Sequence, residues 1–308
     1  MAKLSHRQGW SCVLLLSVFP CVFSASNTSD APPANYRTST SEVRIAFFTT
    51  DQSNHLVETV GQDDFAVVDS GFVIRDFRSL TRSNETALDM VVLVDASESV
   101  APRFRATLND VLQLVSDESA AAPDNISVVS FTGLHPVLLC ASDCRGPEAE
   151  KKLLALKAAG VTPLFDTLAY AADFLSRRQT AGVRPVLILF SDGYDTISMT
   201  SAHDALEAVI ASGAPLYTID LSEAGHDPAG STVLQQMAEA TGGRSFCLRD
   251  GAVNVLRAML ADLRASYLVT YPLPSVAPGF HSLRILPKHN LNLRFHCRSG
   301  YYYEKDGR

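Results

Sequence analysis

The sequence has no cluster of lysine and arginine. Its 33 acidic residues outnumber its 26 basic ones, for a net charge of −7. Nothing in that balance offsets phosphate repulsion, which argues against a general nucleic-acid binder. No heptad run is present, so no coiled coil is expected. After residue 23 no apolar stretch reaches the ~20 residues needed to span a bilayer. There is no Gly-x-Ser-x-Gly elbow, no P-loop and no dinucleotide fingerprint. His203, His226, His281, His289 and His296 show no metalloprotease spacing and are expected mostly at the surface. Cysteines number only 6 in 308 residues.

The N-terminus has a different character. Lys3 and Arg7 precede an apolar stretch at 12–23, and small residues follow at 24–26. This order is that of a secretory signal peptide, here 1–24, and implies export to a periplasm, cell envelope or extracellular space. An uncleaved anchor, or a lipoprotein signal ending at Cys21, is the alternative. Residues 25–42 are rich in Ser, Thr, Asn and Pro and read as a disordered linker. Cleavage would remove Cys12 and Cys21 and leave Cys140, Cys144, Cys247 and Cys297 in an oxidising compartment. Cys140 and Cys144 stand four apart, which suggests a local disulfide; zinc binding is the weaker reading, because the other two stand alone. Asn27, Asn84 and Asn125 fit the glycosylation triplet, which also arises by chance.

The folded part divides by periodicity. Residues 43–83 alternate like strands, with a hairpin bending at Asp69-Ser70-Gly71. From 84 to 265, apolar strand-length runs alternate with helical faces such as Phe104, Leu108, Val111 and Val115. That alternation predicts an α/β fold: a doubly wound, mostly parallel sheet with one short antiparallel strand near Cys140. Residues 266–303 return to strand-like alternation and end in an exposed-looking Tyr301-Tyr302-Tyr303. Neither flank can bury a core alone. The expectation is a small β-domain built from both flanks, with 84–265 inserted between them.

The chemistry gathers at Met90 to Val100. Five apolar residues end abruptly at Asp95, Ser97 and Ser99, at the carboxyl end of a predicted buried strand, where open α/β sheets bind ligands. Carboxylate and hydroxyl oxygens suit Mg²⁺, Ca²⁺ or Mn²⁺ rather than zinc or copper. Thr162 in the 160–164 loop and Asp192 at another strand tip can supply further oxygens. Alone, Thr162 would pass for a helix-starting residue and Asp192 for a turn residue. Asp166 reads as a first-turn helix carboxylate and Asp195 as a loop residue.

Together, Asp95-x-Ser97-x-Ser99, Gly160-Val161-Thr162-Pro163-Leu164 and Ser191-Asp192-Gly193 resemble the metal-ion-dependent adhesion site of von Willebrand factor type A domains. The flanks are similar to exported bacterial proteins of that family, with Asp63-Asp64-Phe65 before the domain and Arg298-Ser299-Gly300-Tyr301 after it. The resemblance implies Mg²⁺, or Mn²⁺ or Ca²⁺, bound directly by Ser97, Ser99 and Thr162 and largely through water by Asp95 and Asp192. It also implies a protein partner offering an Asp or Glu carboxylate, and no catalysis. Glu98 departs from the family's frequent Gly; it either lies idle in solvent or caps the metal. Two rival readings stand beside adhesion. One is a structural envelope module with a vestigial metal site. The other is a metal-dependent phosphohydrolase with Asp95 as nucleophile, but the second carboxylate such sites want is here Ser97, and no fitting lysine follows.

Overall fold

In the computed structural model, the described residues are 42–82, 86–116, 125–142, 144–180, 182–223, 228–247, 252–275 and 277–303. The expected leader, residues 25–41 of the expected linker, Asn27, Asn84 and His226 lie outside them, whereas Glu42, the linker's expected last residue, already belongs to the first strand. The first flank forms β1 (Glu42–Thr50), β2 (Phe65–Asp69), β3 (Phe72–Ile74) and β4 (Ser79–Arg82). Ser70 and Gly71 take positive φ between β2 and β3, as a two-residue hairpin turn requires.

The middle of the chain then alternates. It runs β5 (Ala87–Asp95), α1 (Ala101–Val115), β6 (Asn125–Thr132), β7 (His135–Cys140), α2 (Pro147–Leu154) and α3 (Leu164–Ser176). It continues through β8 (Val183–Ser191), α4 (Ala202–Ser212), β9 (Leu216–Asp220), α5 (Ala229–Thr241), β10 (Ser245–Cys247) and α6 (Ala252–Arg264). The second flank adds β11 (Tyr267–Pro272), β12 (Gly279–Pro287), β13 (Arg294–Cys297) and β14 (Gly300–Tyr303).

Six strands make the central sheet, ordered β10-β9-β8-β5-β6-β7. All its pairings are parallel except β6 with β7. This is the expected α/β architecture. β5 is buried along almost its whole length, so its side chains serve both faces. Met90, Val92 and Val94 pack with Phe104 and Leu108 of α1 and Met259 and Leu263 of α6. Val91 and Leu93 pack with Leu168 of α3, Val209 of α4 and Leu234 of α5. The chain leaves β5 for β6 on one side and later returns to β8 on the other, so β5 stands at the reversal of strand order. The crevice at the carboxyl ends of these strands is where such sheets take ligands.

Two antiparallel sheets are built from the flanks, ordered β13-β1-β11-β4 and β14-β12-β2-β3. β1 pairs with both β11 and β13, and β2 with β12. Their shared core holds Ile45, Phe47, Phe65, Val67, Val269, Tyr271 and Leu283. At its centre is Asp69, fully buried, whose Oδ2 accepts from Tyr271 Oη at 2.8 Å and Tyr301 Oη at 2.9 Å.

Several details differ from the sequence reading. Tyr301 is not an exposed end: it lies in β14, 9 % exposed, and belongs to that core. The strand-like alternation of 266–303 does not run through 288–293, and β13 begins only at Arg294. α2 was not foreseen, because only Ala149 and Leu153 of its eight residues are buried. His281 is buried and His296 half-buried, stacked on Phe48 at 4.5 Å. Cys140 and Cys144 are joined in a disulfide, as their spacing suggested, with Cα atoms 5.7 Å apart.

Candidate metal centre

β5 delivers Asp95 to its tip, wholly buried. The chain then turns through a short 3-10 helix at Glu98–Val100. That turn is fixed by Asp95 itself, whose Oδ1 accepts from Ser97 N at 2.9 Å. The same turn brings Ser97 Oγ to 3.1 Å from Ser99 Oγ. Ser97 is buried, whereas Glu98 and Ser99 are exposed.

β8 ends beside it. Ser191 Oγ donates to Asp95 Oδ2 at 2.7 Å and accepts from Gly193 N at 3.1 Å. Asp192, 6 % exposed, follows directly. Gly193 has a φ of +80°, and a Cβ there would meet Gly230 O at 2.2 Å. A Cβ on Gly230 would in turn meet Asp192 O at 2.1 Å. Two glycines therefore let the start of α5 press on the turn that carries Asp192. Asp192 and Ser99 line one small pocket of about 170 Å³.

The third loop is laced to the other two through its backbone. Ala159 N donates to Ala96 O at 2.9 Å and Glu98 N to Gly160 O at 3.0 Å. Thr162 N donates to Thr196 Oγ1 at 2.7 Å, and Thr196 N to Thr162 O at 2.9 Å. Thr162 is almost wholly buried. Its hydroxyl is in none of the side-chain hydrogen bonds found among the described residues.

Asp195 and Asp166 brace this edge of the site. Asp195 Oδ1 accepts from Leu164 N at 2.9 Å and Ser198 Oγ at 2.5 Å. Asp166 accepts from Met199 N at 3.0 Å and Thr200 N at 2.8 Å. Asp195 thus serves the N-terminus of α3, which has no side-chain cap of its own. Spacing alone could not show this, because the capping residue lies some thirty positions after the helix's first residue.

Electrostatically the buried carboxylates are left without a cationic partner among the described residues, although Arg103 lines the same small pocket as Ser99 and Asp192. Burial pushes the Asp95 carboxyl up to about 6; hydrogen bonds from Ser97 and Ser191 pull it back, and the charge of Asp192 adds to the rise. Among the described residues no ion pair involves Asp95 or Asp192. Nor do three or more His, Cys, Asp or Glu side chains converge anywhere among the described residues. A site here must therefore rest on hydroxyls as well as carboxylates. That donor set fits a hard divalent cation, which takes oxygen ligands and keeps some waters. The unassigned Thr162 hydroxyl and the unpaired buried carboxylate are the observations that fit it.

Comparison with known proteins agrees with the region. Residues 90–194 match the family profile of the von Willebrand factor type A domain. The magnesium-chelatase 60 kDa subunit of Rhodobacter capsulatus is 25% identical over 141 residues, covering 42% of this chain and 25% of that protein. The chain thus spans about a quarter of that relative's length. Among solved structures, the manganese-loaded TRAP protein of Plasmodium vivax aligns at 16% identity and a TM-score of 0.46, covering 78% of this chain and 100% of that one. An aerotolerance-related membrane protein from Bacteroides fragilis aligns at 18% identity and a TM-score of 0.44, covering 57% and 98%.

Proposed function

We propose, from the premise that this chain carries a von Willebrand factor type A domain, that it is an exported, non-catalytic adhesion or scaffold module. Ser97, Ser99 and Thr162 would hold a divalent cation through their hydroxyls, and Asp95 and Asp192 largely through water. Mg²⁺ is favoured, with Mn²⁺ and Ca²⁺ as alternatives. When bound, the cation supplies an electrophilic position that can take an Asp or Glu carboxylate from a protein partner. Neutral hydroxyl ligands leave its charge unquenched, which is what a carboxylate acceptor needs.

The observation that carries this reading is the lacing of three loops, 95–99, 159–162 and 191–196, by hydrogen bonds around a buried carboxylate with no cationic partner. A nucleophilic Asp95 fits less well, because both its oxygens are engaged and the position two residues on is a serine. Export rests on the leader-like N-terminus. Among the described residues, no helix is long and apolar enough to cross a membrane.

Calorimetry of the purified protein with Mg²⁺ and Mn²⁺ tests the metal site. Saturable binding is expected, weakened about 10–100-fold or more in Asp95→Ala and Thr162→Val. Equal affinity in all three proteins would sink the reading. Glu98 points into solvent, so Glu98→Gly is expected to leave metal and partner affinity unchanged. Tighter partner binding in that variant would mean the carboxylate caps the ion instead.

A further inference from the structure

At the opposite end of the parallel strands lies a cleft of about 800 Å³. One wall is β1 and β11 of an outer sheet. The other is the starts of β5, β8 and β9 together with the ends of α4 and α5. Three arginines line it, Arg44, Arg184 and Arg298, and no Asp or Glu does.

These guanidiniums are poorly matched by the protein. Arg184 donates to Leu263 O at 3.0 Å, and Arg298 to Arg44 O at 3.1 Å. Arg298 Nε is buried without a partner. Neither Arg184 nor Arg298 takes part in an ion pair among the described residues, and burial lowers the pKa of both. Among the described residues Arg44 pairs only with Glu42, at 3.7 Å, and its side chain is 67% exposed, so solvent screens that pair. The α4 and α5 C-termini face this end and place roughly half a negative charge each. That explains part of the gathering of arginine, but three full positive charges still exceed it.

A guanidinium presents a planar fork of donors that an oxyanion satisfies two at a time. Pockets of roughly 300–1,000 Å³ suit ligands of drug or metabolite size. Around the arginines the lining mixes hydroxyls, such as Thr86 and Ser266, with apolar surface from Pro185, Pro215 and Leu268. We propose that this cleft binds an organic anion, a carboxylate or phosphate ester carried on a partly apolar, hydroxyl-compatible body. The proposal does not depend on the metal centre, which lies at the other end of the strands.

The test is calorimetry of the purified protein in EDTA with decanoate, glucose 6-phosphate and inorganic phosphate, against sodium chloride at matched ionic strength. At least one organic anion is expected to bind saturably. Tighter decanoate binding names a lipid-like carboxylate; tighter glucose 6-phosphate binding names a phosphate ester. Arg184→Gln is expected to weaken binding about tenfold or more, since charge-assisted hydrogen bonds are lost. Arg184 also caps α6, so Arg44→Gln, at an exposed position, serves as the second variant, with a loss of about threefold. Asp95→Ala should bind as the wild type does. No saturable binding beyond the chloride control, or equal affinity in both arginine variants and the wild type, would overturn the proposal.

Discussion

Asp69 and its two tyrosines show how single residues hold the outer sheets together. A buried carboxylate that loses a donor bears the full cost of an unmade hydrogen bond, about 1.5–3 kcal/mol where the acceptor is charged. Tyr301→Phe is therefore expected to destabilise by that amount in urea unfolding. Tyr302→Phe, at a neighbouring exposed position hydrogen-bonded to Glu207, should change little. His296 predicts a pH effect. Burial against Phe48 holds its pKa down to about 4, below the ~6.5 of an unfolded chain. Below pH 6.5 the unfolded chain takes a proton that the fold refuses, so this contribution is full above 6.5 and is lost as pH falls to about 4. Asp262, pushed up to about 6 by burial, works in the opposite sense over part of that range. The comparison must therefore be with His296→Gln, whose stability should fall less steeply over that window, by on the order of 1–3 kcal/mol. At this scale the sequence placed Asp95 at a strand tip and Ser97, Ser99, Thr162 and Asp192 just beyond strand ends or in loops, where the structure has them. It was silent on Asp195 as a cap for α3, and misleading on His281, His296 and Tyr301, because burial by distant strands leaves no local trace.

Among the elements, the contact between α5 and the β8 turn is the tightest support under the candidate site. Gly230 has no room for a methyl group, since Asp192 O would sit 2.1 Å away. Gly230→Ala is expected to push the turn outward, costing about 1–3 kcal/mol as an overpacked contact does and weakening Mg²⁺ binding measured by calorimetry. Wild-type affinity in a folded Gly230→Ala protein would mean that Asp192 is not a ligand. Elements with a strong period were legible: α1, α3 and α5 each bury a regular apolar stripe, and β5 and β8 are near-continuous apolar runs. α2 was not legible, being short and mostly polar, and β13 starts late because residues 291 and 292 are solvent-exposed rather than alternating.

For the molecule as a whole, the α/β alternation carried the architecture, but strand partners some two hundred residues apart could only be guessed from two flanks each too small for a core. The outer strands also cover the central unit. Phe48 of β1 packs in the same cluster as Tyr217 and Phe246, with ring centroids of Phe48 and Tyr217 6.5 Å apart. We infer that a fragment cut to 84–265 would expose this aromatic face. It is expected to melt lower than the full protein and to bind a hydrophobic dye; a fragment with the parent's melting temperature and no dye binding would show the outer sheets to be dispensable.

The central unit begins at Ala87, the end of β5 remote from Asp95, and its last helix ends beside that point, where Arg264 Nη1 donates to Thr86 O at 3.1 Å. A partner captured at Asp95 would therefore tug lengthwise on a strand flanked by parallel neighbours on both sides. Tension in that direction loads the inter-strand hydrogen bonds together, in shear, rather than peeling them one after another. The grip would be mechanically stiff along one axis, a property suited to holding something that pulls.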